Sequence, residues 1–382
     1  MTDAGRAAIS DCLRTRVARG DVPAAVAAVA DRDALLYLDA FGKRDVARNV
    51  DATPDTIFRI ASMTKPVTSL AVMMLYDEGR IALDDPITKY LPDYRQPPVL
   101  TKFNDRDRTY DSRPPKRPVT IRDLLTHTSG IAYPFFDPAL ARLSAAGKAD
   151  AELPLLHDPG AKWTYGPSTA ILGRVVARVS GGTLDAFCQT RIFDPLGMAD
   201  TGYDVPGDKR DRVVTQHRRD ATGKLVEQEN PALIQSRGRG DDGLFSTARD
   251  YAAFLQLFPN SGCHGTTRLV SEQTIGMMAG NQIGRLVVER QLATDSSLAS
   301  KFPFGAGKDK FGFGFQIETA PSEKGMRAPG SLSWSGIFNT HFWIDPPKQI
   351  AAVVLMQLLP AYDENVVDLL RSFERLVYLQ LQ

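Results

Sequence analysis

The hydrophobic pattern at the start of the chain predicts a helix followed by a β-hairpin. Residues 3–20 place apolar side chains at helical spacing and end at Gly20, a residue type that is common just after helices. The next two apolar or alternating runs, residues 24–30 and 34–41, are separated by the polar residues 31–33. We therefore expect two paired strands near the N-terminus.

The middle of the chain has mostly helical patterns, and the last third returns to strands. Residues 93–118 are rich in proline, arginine and aspartate, which predicts a long surface loop. A short extended segment is predicted at 57–60, helices at 62–78, 121–127, 168–179, 183–192 and 364–379, and strands at 311–319, 332–344 and 350–358.

Strand patterns at both chain ends predict an α/β fold in which one antiparallel sheet, flanked by helices, is built from the two ends. The expected sheet domain comprises residues 1–92 and 235–382. Residues 93–234 would form an inserted, mostly helical subdomain, and the site would lie in the cleft between the two.

Composition and charge exclude several classes of function. The chain has 382 residues, 43% of them hydrophobic, and a formal net charge of +1, which favours neither nucleic acid nor anionic lipid as a partner. No run approaches the roughly 18 apolar residues of a membrane span. The N-terminus lacks the basic start and apolar stretch of a secretory signal, so we expect a cytoplasmic protein. Three scattered cysteines predict neither disulfides nor a metal site, and no cofactor is expected.

The first candidate for chemistry is a Ser-x-x-Lys element formed by Ser62 and Lys65. Because proline disrupts a helix interior, the predicted helix must begin within about one turn before Pro66. Ser62 then lies at the helix N-terminus, where the helix dipole favours a developing anion, and Lys65 falls on the same face. A buried lysine loses its proton more easily and can activate the serine. A surface lysine after a helix-capping serine would give the same pattern.

Two further elements add candidate groups. A turn-rich loop at residues 158–167 delivers Tyr165 just before a helix, where its hydroxyl could relay a proton, although such a tyrosine also packs without a catalytic role. Gly336 interrupts an alternating strand, which marks either close approach of another chain segment or an ordinary bulge. If it lies at an edge, this strand could supply the Ile337 N–H to an oxyanion hole, with the Ser62 N–H as the other donor.

These three elements, in this order, resemble the serine β-lactamase and penicillin-binding protein superfamily, and most closely the family VIII carboxylesterases, which are similar to class C β-lactamases. The resemblance runs from about residue 20 to the C-terminus and implies a β-lactamase/transpeptidase-like fold. It implies that Ser62 is the nucleophile, Lys65 its base and Tyr165 the partner in proton transfer. Tyr133 resembles a tyrosine that lines the site in related esterases. Four further sequence segments also resemble this superfamily: residues 53–61, 124–131, 193–198 and 243–251.

The chain departs from the β-lactamase pattern at two places. Residues 334–336 read Trp-Ser-Gly where β-lactamases usually carry Lys-Thr-Gly, and residues 165–167 read Tyr-Gly-Pro where they carry Tyr-x-Asn. The missing lysine and asparagine would bind the carboxylate and side chain of the antibiotic, whereas an ester has no obligatory carboxylate to pair. A tryptophan on this strand resembles the esterase branch. The residues expected to bind substrate are Tyr133, Trp334, Ser335 and Gly336.

We therefore predict a serine carboxylesterase that hydrolyses small-molecule esters with a short-chain or bulky uncharged acyl group through an acyl-enzyme on Ser62. The same residues would serve an acyltransferase, a β-lactamase, a D-amino-acid amidase or peptidase, or a sensor that stays acylated. His127 suggests a Ser-His-Asp triad, but the chain has no Gly-x-Ser-x-Gly element, which argues against an α/β-hydrolase. The oligomeric state is left open.

Overall fold

A computed structural model describes residues 1–230, 233, 239–299, 302–320 and 326–381. Its α-helices are α1 (Asp3–Ala18), α2 (Thr64–Asp77), α3 (Ile121–Leu125), α4 (Pro138–Ala145), α5 (Ser168–Ser180), α6 (Leu184–Cys188), α7 (Asp194–Leu196), α8 (Ala248–Gln256), α9 (Glu272–Ala279) and α10 (Glu364–Leu379). Its strands are β1 (Ala24–Ala30), β2 (Leu35–Asp45), β3 (Val50–Asp51), β4 (Phe58–Arg59), β5 (Val99–Asn104), β6 (Thr109–Arg113), β7 (Gln216–Arg219), β8 (Leu225–Gln228), β9 (Phe245–Ser246), β10 (Cys263–His264), β11 (Thr267–Arg268), β12 (Lys310–Phe311), β13 (Gln316–Ile317), β14 (Leu332–Gly336), β15 (Thr340–Asp345), β16 (Ile350–Leu355) and β17 (Leu358–Leu359).

One large sheet joins the two ends of the chain. Within the described residues it has eight strands in the order β12-β13-β14-β15-β16-β1-β2-β3, and neighbouring strands are antiparallel. The N-terminal hairpin lies beside the C-terminal strands because β1 pairs with β16, from Val26 opposite Leu355 to Ala30 opposite Ala351. The predicted α/β fold with an antiparallel sheet flanked by helices is confirmed.

Helices cover both faces of this sheet, which explains why β1 is buried along its whole length. Successive strand residues point to opposite faces, so Val26 and Ala28 join the core that includes α2 and α8, whereas Ala27 and Val29 join the core formed with α1 and α10. Such a strand reads as a continuous apolar run instead of an alternating one.

Helix α10 has the bounds that the amphipathic pattern predicts. Its first turn is capped by the Asp363 carboxylate, which accepts hydrogen bonds from two backbone N–H groups. Val366, Leu369, Phe373 and Val377 are fully buried and recur at helical spacing on the face toward the sheet.

Three segments differ from the sequence-based prediction. Residues 311–319, predicted as one strand, cover most of the short antiparallel pair β12 and β13. Residues 332–344 form two antiparallel strands, β14 and β15, and the turn between them contains Asn339 at a φ of +60°. Alternation continues across a tight hairpin, so the pattern alone does not reveal the turn. The predicted loop at 93–118 contains the paired strands β5 and β6, whose residues are largely exposed and therefore lack an apolar pattern.

The segment predicted as an inserted subdomain, 93–234, contains α3 to α7 together with the hairpins β5–β6 and β7–β8. The predicted domain boundaries stay predictions, and the one at 234/235 lies outside the described residues. Among the helices that the structure describes, none combines the length and the apolar character needed to cross a membrane.

Candidate active site

Ser62 lies in a single helical turn, Ala61–Met63, that connects β4 to α2. The helix begins at Thr64 and not at Ser62, which places Pro66 in its first turn, where a missing N–H costs nothing. Ala61 has a φ of +45°, an unfavourable value for a residue with a side chain, immediately before the serine. The Ile60 N–H is bonded to the Leu244 carbonyl at 3.0 Å, and this contact fixes the start of the turn.

Lys65 is buried directly beneath Ser62, with 1% of its surface exposed. Its Nζ donates to the Ser62 Oγ at 3.1 Å, to the Tyr133 hydroxyl at 3.0 Å and to the main-chain carbonyl of Asp241 at 2.8 Å. The alternative of a surface lysine beside a capping serine is therefore wrong. The lysine lies where it can exchange a proton with the serine hydroxyl.

Tyr165 approaches Ser62 from the other side. Its hydroxyl donates to the Ser62 Oγ at 2.7 Å, and its ring is 4% exposed. A side chain at Gly166 would lie 2.2 Å from the Ile131 carbonyl oxygen, so the glycine lets the Tyr165 loop pack closely on the neighbouring segment. The His127 ring packs edge-on against the Tyr165 ring, with the ring centroids 5.0 Å apart.

The chemistry of His127 does not match that of a triad histidine. Burial first, and then the charge of Lys65, hold the pKa of His127 well below its usual value. The residue has a φ of +56°, and its carbonyl accepts a hydrogen bond from the Thr164 N–H, which fixes the loop that carries Tyr165. His127 therefore supports the loop that carries Tyr165.

The structure brings Tyr133 into the same cluster. Its hydroxyl donates to the Asp241 carboxylate at 2.7 Å and accepts from Lys65. Burial, reinforced by the negative charge of Asp241, raises the pKa of Tyr133 well above its usual value. Lys65 therefore lies between two tyrosines, of which Tyr165 is bonded to the serine and Tyr133 to a carboxylate.

Strand β14 passes close to the serine turn. A side chain at Gly336 would lie 2.3 Å from the Ile60 carbonyl oxygen, so the glycine marks the close approach that the sequence suggests. The oxyanion prediction assumed that β14 is an edge strand, but β12 and β13 lie outside it in the sheet. However, β13 pairs only with the first two residues of β14, Leu332 and Ser333. Ser62 and Ile337 both line the same cavity, and their N–H groups remain the predicted oxyanion donors.

Trp334 does not have the position predicted for it. It points to the opposite face of β14 from Ser335, is 5% exposed and packs on the Tyr165 ring with centroids 5.1 Å apart. Ser335 and Gly336 line the cavity that contains Ser62, whereas Trp334 is not one of the described residues that line it. The prediction that Trp334 binds substrate is therefore wrong for this cavity, because strand alternation turns its side chain into the aromatic layer behind Tyr165.

The cavity above Ser62 has a volume of about 440 Å³ and is mainly apolar. Phe136 and Phe302 stack across it with ring centroids 5.6 Å apart. The Ser335 hydroxyl lies 2.9 Å from the Tyr362 hydroxyl and is thereby oriented at the cavity edge. The lining residues include Ala61, Ser62, Tyr133, Pro134, Phe135, Phe136, Tyr165, Arg239, Asp241, Phe302, Ser335, Gly336, Ile337 and Tyr362.

Sequence reasoning missed the ion pair beside Lys65. Asp241 is fully buried, and the Arg239 guanidinium donates to both of its carboxylate oxygens, at 3.2 and 3.0 Å. Burial raises the pKa of Asp241, but the charges of Lys65 and Arg239 and the Tyr133 hydroxyl together hold it below the usual value. The aromatic residues Phe135, Phe136 and Phe302 were missed as well, because they lie in irregular segments that have no motif.

Comparison with known proteins places this chain in a family. A family model described as "Beta-lactamase" matches residues 9–375. The lovastatin esterase of Penicillium rubens is 32% identical over 347 residues, which cover 85% of this chain and 85% of that protein. The monacolin J acid methylbutanoyltransferase of Aspergillus terreus is 30% identical over 400 residues, covering 97% of this chain and 95% of that protein.

A solved structure agrees with these relatives. A simvastatin synthase variant from Aspergillus terreus superposes with a TM-score of 0.86 at 27% identity, covering 100% of this chain and 96% of the other. The resemblance inferred from the motifs is thus confirmed at the level of family and fold. The chain belongs to the beta-lactamase family of serine hydrolases and acyltransferases.

Proposed function

We propose that this protein is a serine carboxylesterase that forms an acyl-enzyme on Ser62. The observation that carries the proposal is the double contact to one oxygen atom. Lys65 and Tyr165 both reach the Ser62 Oγ, at 3.1 and 2.7 Å, at the base of an apolar cavity. A nucleophile with a proton acceptor on one side and a proton donor on the other is the arrangement that acyl transfer needs.

The first half of the reaction forms the acyl-enzyme. The neutral Lys65 amine takes the Ser62 proton while the Oγ bonds to the acyl carbon, and the developing oxyanion binds the N–H groups of Ser62 and Ile337. The bond to the alkoxy oxygen then breaks, and Tyr165 supplies the proton with which the alcohol leaves. The Lys65 ammonium returns a proton to the tyrosine. In the second half, water replaces the alcohol and the same proton transfers run in reverse.

The cavity favours an uncharged acyl group. Phe135, Phe136 and Phe302 form an aromatic wall beside the serine, and the guanidinium of Arg239 is already paired with Asp241. A short-chain or bulky apolar acyl ester fits this lining better than a carboxylate-bearing β-lactam. The likeness to a lovastatin esterase supports ester substrates.

Acyl transfer to an alcohol is the second candidate, and the likeness to a methylbutanoyltransferase favours it. The acyl-enzyme is common to both reactions, so the difference lies in whether water or an alcohol attacks. Adding an alcohol acceptor at increasing concentration and measuring the new ester by mass spectrometry separates the two. An esterase gives mainly free acid at every acceptor concentration.

The test uses nitrophenyl esters of increasing acyl length, a nitroanilide and a chromogenic cephalosporin, with the wild type and Ser62→Ala side by side. We expect ester turnover to fall by about 10³-fold or more in the variant, the scale known for loss of a nucleophile, and the cephalosporin to be the poorer substrate of the wild type. Intact mass after a short ester pulse should return to its starting value, whereas a sensor would keep the acyl mass. Substantial turnover by a folded Ser62→Ala protein would disprove the proposal.

A further inference from the structure

Asp241 contacts two members of the cluster around Ser62, namely Lys65 and Tyr133. Its main-chain carbonyl accepts a hydrogen bond from Lys65 at 2.8 Å, and its carboxylate accepts one from Tyr133 at 2.7 Å. The side chain is fully buried, and Arg239 pairs with it at 3.0 Å. One residue therefore holds the candidate base through its backbone and a tyrosine through its side chain.

The contact with Asp241 assigns different tasks to the two tyrosines. The only hydroxyl proton of Tyr133 is directed at the carboxylate, so its oxygen is left to accept from Lys65. Tyr165 instead directs its proton at Ser62. Because burial and Asp241 raise the pKa of Tyr133, it keeps its proton and does not act as a base.

The same contacts suit the protonated form of Lys65. An ammonium has three N–H donors, and Lys65 has three acceptors within 3.1 Å: the Ser62 Oγ, the Tyr133 oxygen and the Asp241 carbonyl. When the lysine takes the Ser62 proton during acylation, each of its N–H groups already has a partner. The charge that forms on Lys65 also faces the Asp241 carboxylate, whose own charge is partly balanced by Arg239.

We propose that Asp241 is a positioning residue that orients Tyr133 and stabilises the ammonium form of Lys65, so that, of the two tyrosines, only Tyr165 exchanges its proton with the reacting groups. This inference rests on the proposed acyl-enzyme function. Removing the carboxylate charge should have two opposite effects. It disfavours the Lys65 ammonium that forms in the transition state, which slows acylation, and it makes the free enzyme's lysine easier to deprotonate.

Other titratable groups also face Lys65 and must be held constant. Tyr133 bonds directly to Lys65 through its hydroxyl. The Lys65 Nζ lies 5.2 Å from the centre of the Tyr133 ring and 4.9 Å from the centre of the Tyr165 ring. The charge of Lys65 lowers the pKa of His127. Arg239 pairs with Asp241 and also interacts with Asp242, the next residue in the chain. The variant must therefore change the charge of Asp241 while leaving these side chains in place, and Asp241→Asn, which has the same shape, does this.

The experiment compares Asp241→Asn with Asp309→Asn, a matched control. Asp309 is likewise a buried carboxylate, but its oxygens accept hydrogen bonds from Gln316 and Thr319, and within the part of the chain that the structure describes it does not bond to the Ser62 cluster. For a short nitrophenyl ester, we expect Asp241→Asn to lower kcat by about 10- to 100-fold, within the range of proton-transfer effects, with KM changed by less than about 2-fold. The acid limb of its kcat/KM profile should move to lower pH, whereas Asp309→Asn should leave the limb in place.

A merely structural role for Asp241 predicts a loss of active protein without a moved limb, and that result overturns the inference. So does a wild-type kcat in Asp241→Asn, or a limb that moves to higher pH. If Asp241→Asn does not fold, Tyr133→Phe replaces it. Tyr133 then loses only its hydroxyl, and a kcat within about 2-fold of the wild type would contradict the assigned coupling.

The proposed function is tested separately with the same samples. Peptide mapping after an ester pulse shows whether Ser62 carries the acyl group. Acylation of Ser62 together with unchanged kinetics in Asp241→Asn rejects only the role of Asp241. A wild-type enzyme that turns over ester without acylation of Ser62 rejects the proposed function, and this inference with it.

Discussion

Gly336→Ala tests how closely β14 must approach the serine turn. The added Cβ would lie 2.3 Å from both the Ile60 carbonyl oxygen and the Thr340 Oγ1, whereas ordinary contact begins at 3.4 Å, so the strand must move by about 1 Å. The Ile60 oxygen is a backbone atom whose position is set by the contact of Ile60 with Leu244. A displacement of about 1 Å at a reacting centre can lower the rate by about 10²-fold, and loss of one oxyanion donor costs a similar factor. We expect kcat to fall by about 100-fold.

The assay is steady-state turnover of a nitrophenyl ester, with circular dichroism and thermal melting to show that the variant is folded. Gly276→Ala is the matched control, because a Cβ at that position of α9 meets nothing within 4 Å. Near-normal kcat in a folded Gly336→Ala protein would show that the Ile337 N–H is not an oxyanion donor. A variant that melts well below the wild type but keeps its kcat would assign the glycine to stability alone.

Three further changes test other parts of the site. Lys65→Arg should abolish turnover, by about 10³-fold or more, because a guanidinium does not deprotonate, and retained activity with an unchanged pH profile would deny Lys65 the role of base. Phe136→Ala opens the stack with Phe302, so the ratio of kcat/KM for an octanoyl ester to that for a butanoyl ester should rise by about 10-fold; an unchanged ratio would place the acyl chain elsewhere. Burial and then the charge of Arg327 lower the pKa of His341 to about 3, so the unfolded chain binds a proton there near pH 6.5 that the folded protein refuses. Stability should fall by up to about 1.4 kcal/mol per pH unit as the pH drops below 6.5, and urea unfolding of His341→Gln should show a weaker dependence; parallel curves would contradict this.

The sequence predicts the elements whose burial pattern is simple. The N-terminal hairpin, α10 and the helix after Ser62 all have regular apolar spacing, and their observed bounds lie within a few residues of those expected. The separation of Ser62 and Lys65 by one helical turn is likewise a local property, so their contact follows from the motif.

The parts that the sequence does not predict depend on long-range contacts. The turn at Asn339 lies within an unbroken alternation, and its side-chain amide binds the carbonyls of Leu358 and Pro360, which are distant in the chain. Asp241 follows Gly240 in an irregular segment and shows no motif, and its burial comes from packing against Lys65 and Tyr133.

Trp334 shows that a resemblance in sequence does not determine which way a side chain points. The resemblance indicates which residue stands where a β-lactamase carries lysine, but the register of β14 decides which way that residue points. Trp334 pairs with Phe342 and lies in the aromatic layer, whereas Ser335 pairs with His341 and reaches the cavity edge. Replacing Trp334 with lysine would therefore bury a charge behind Tyr165 instead of presenting it to a substrate. In the proposed function, the preference for an uncharged acyl group would then rest on Phe135, Phe136 and Phe302, which line the cavity from other segments of the chain.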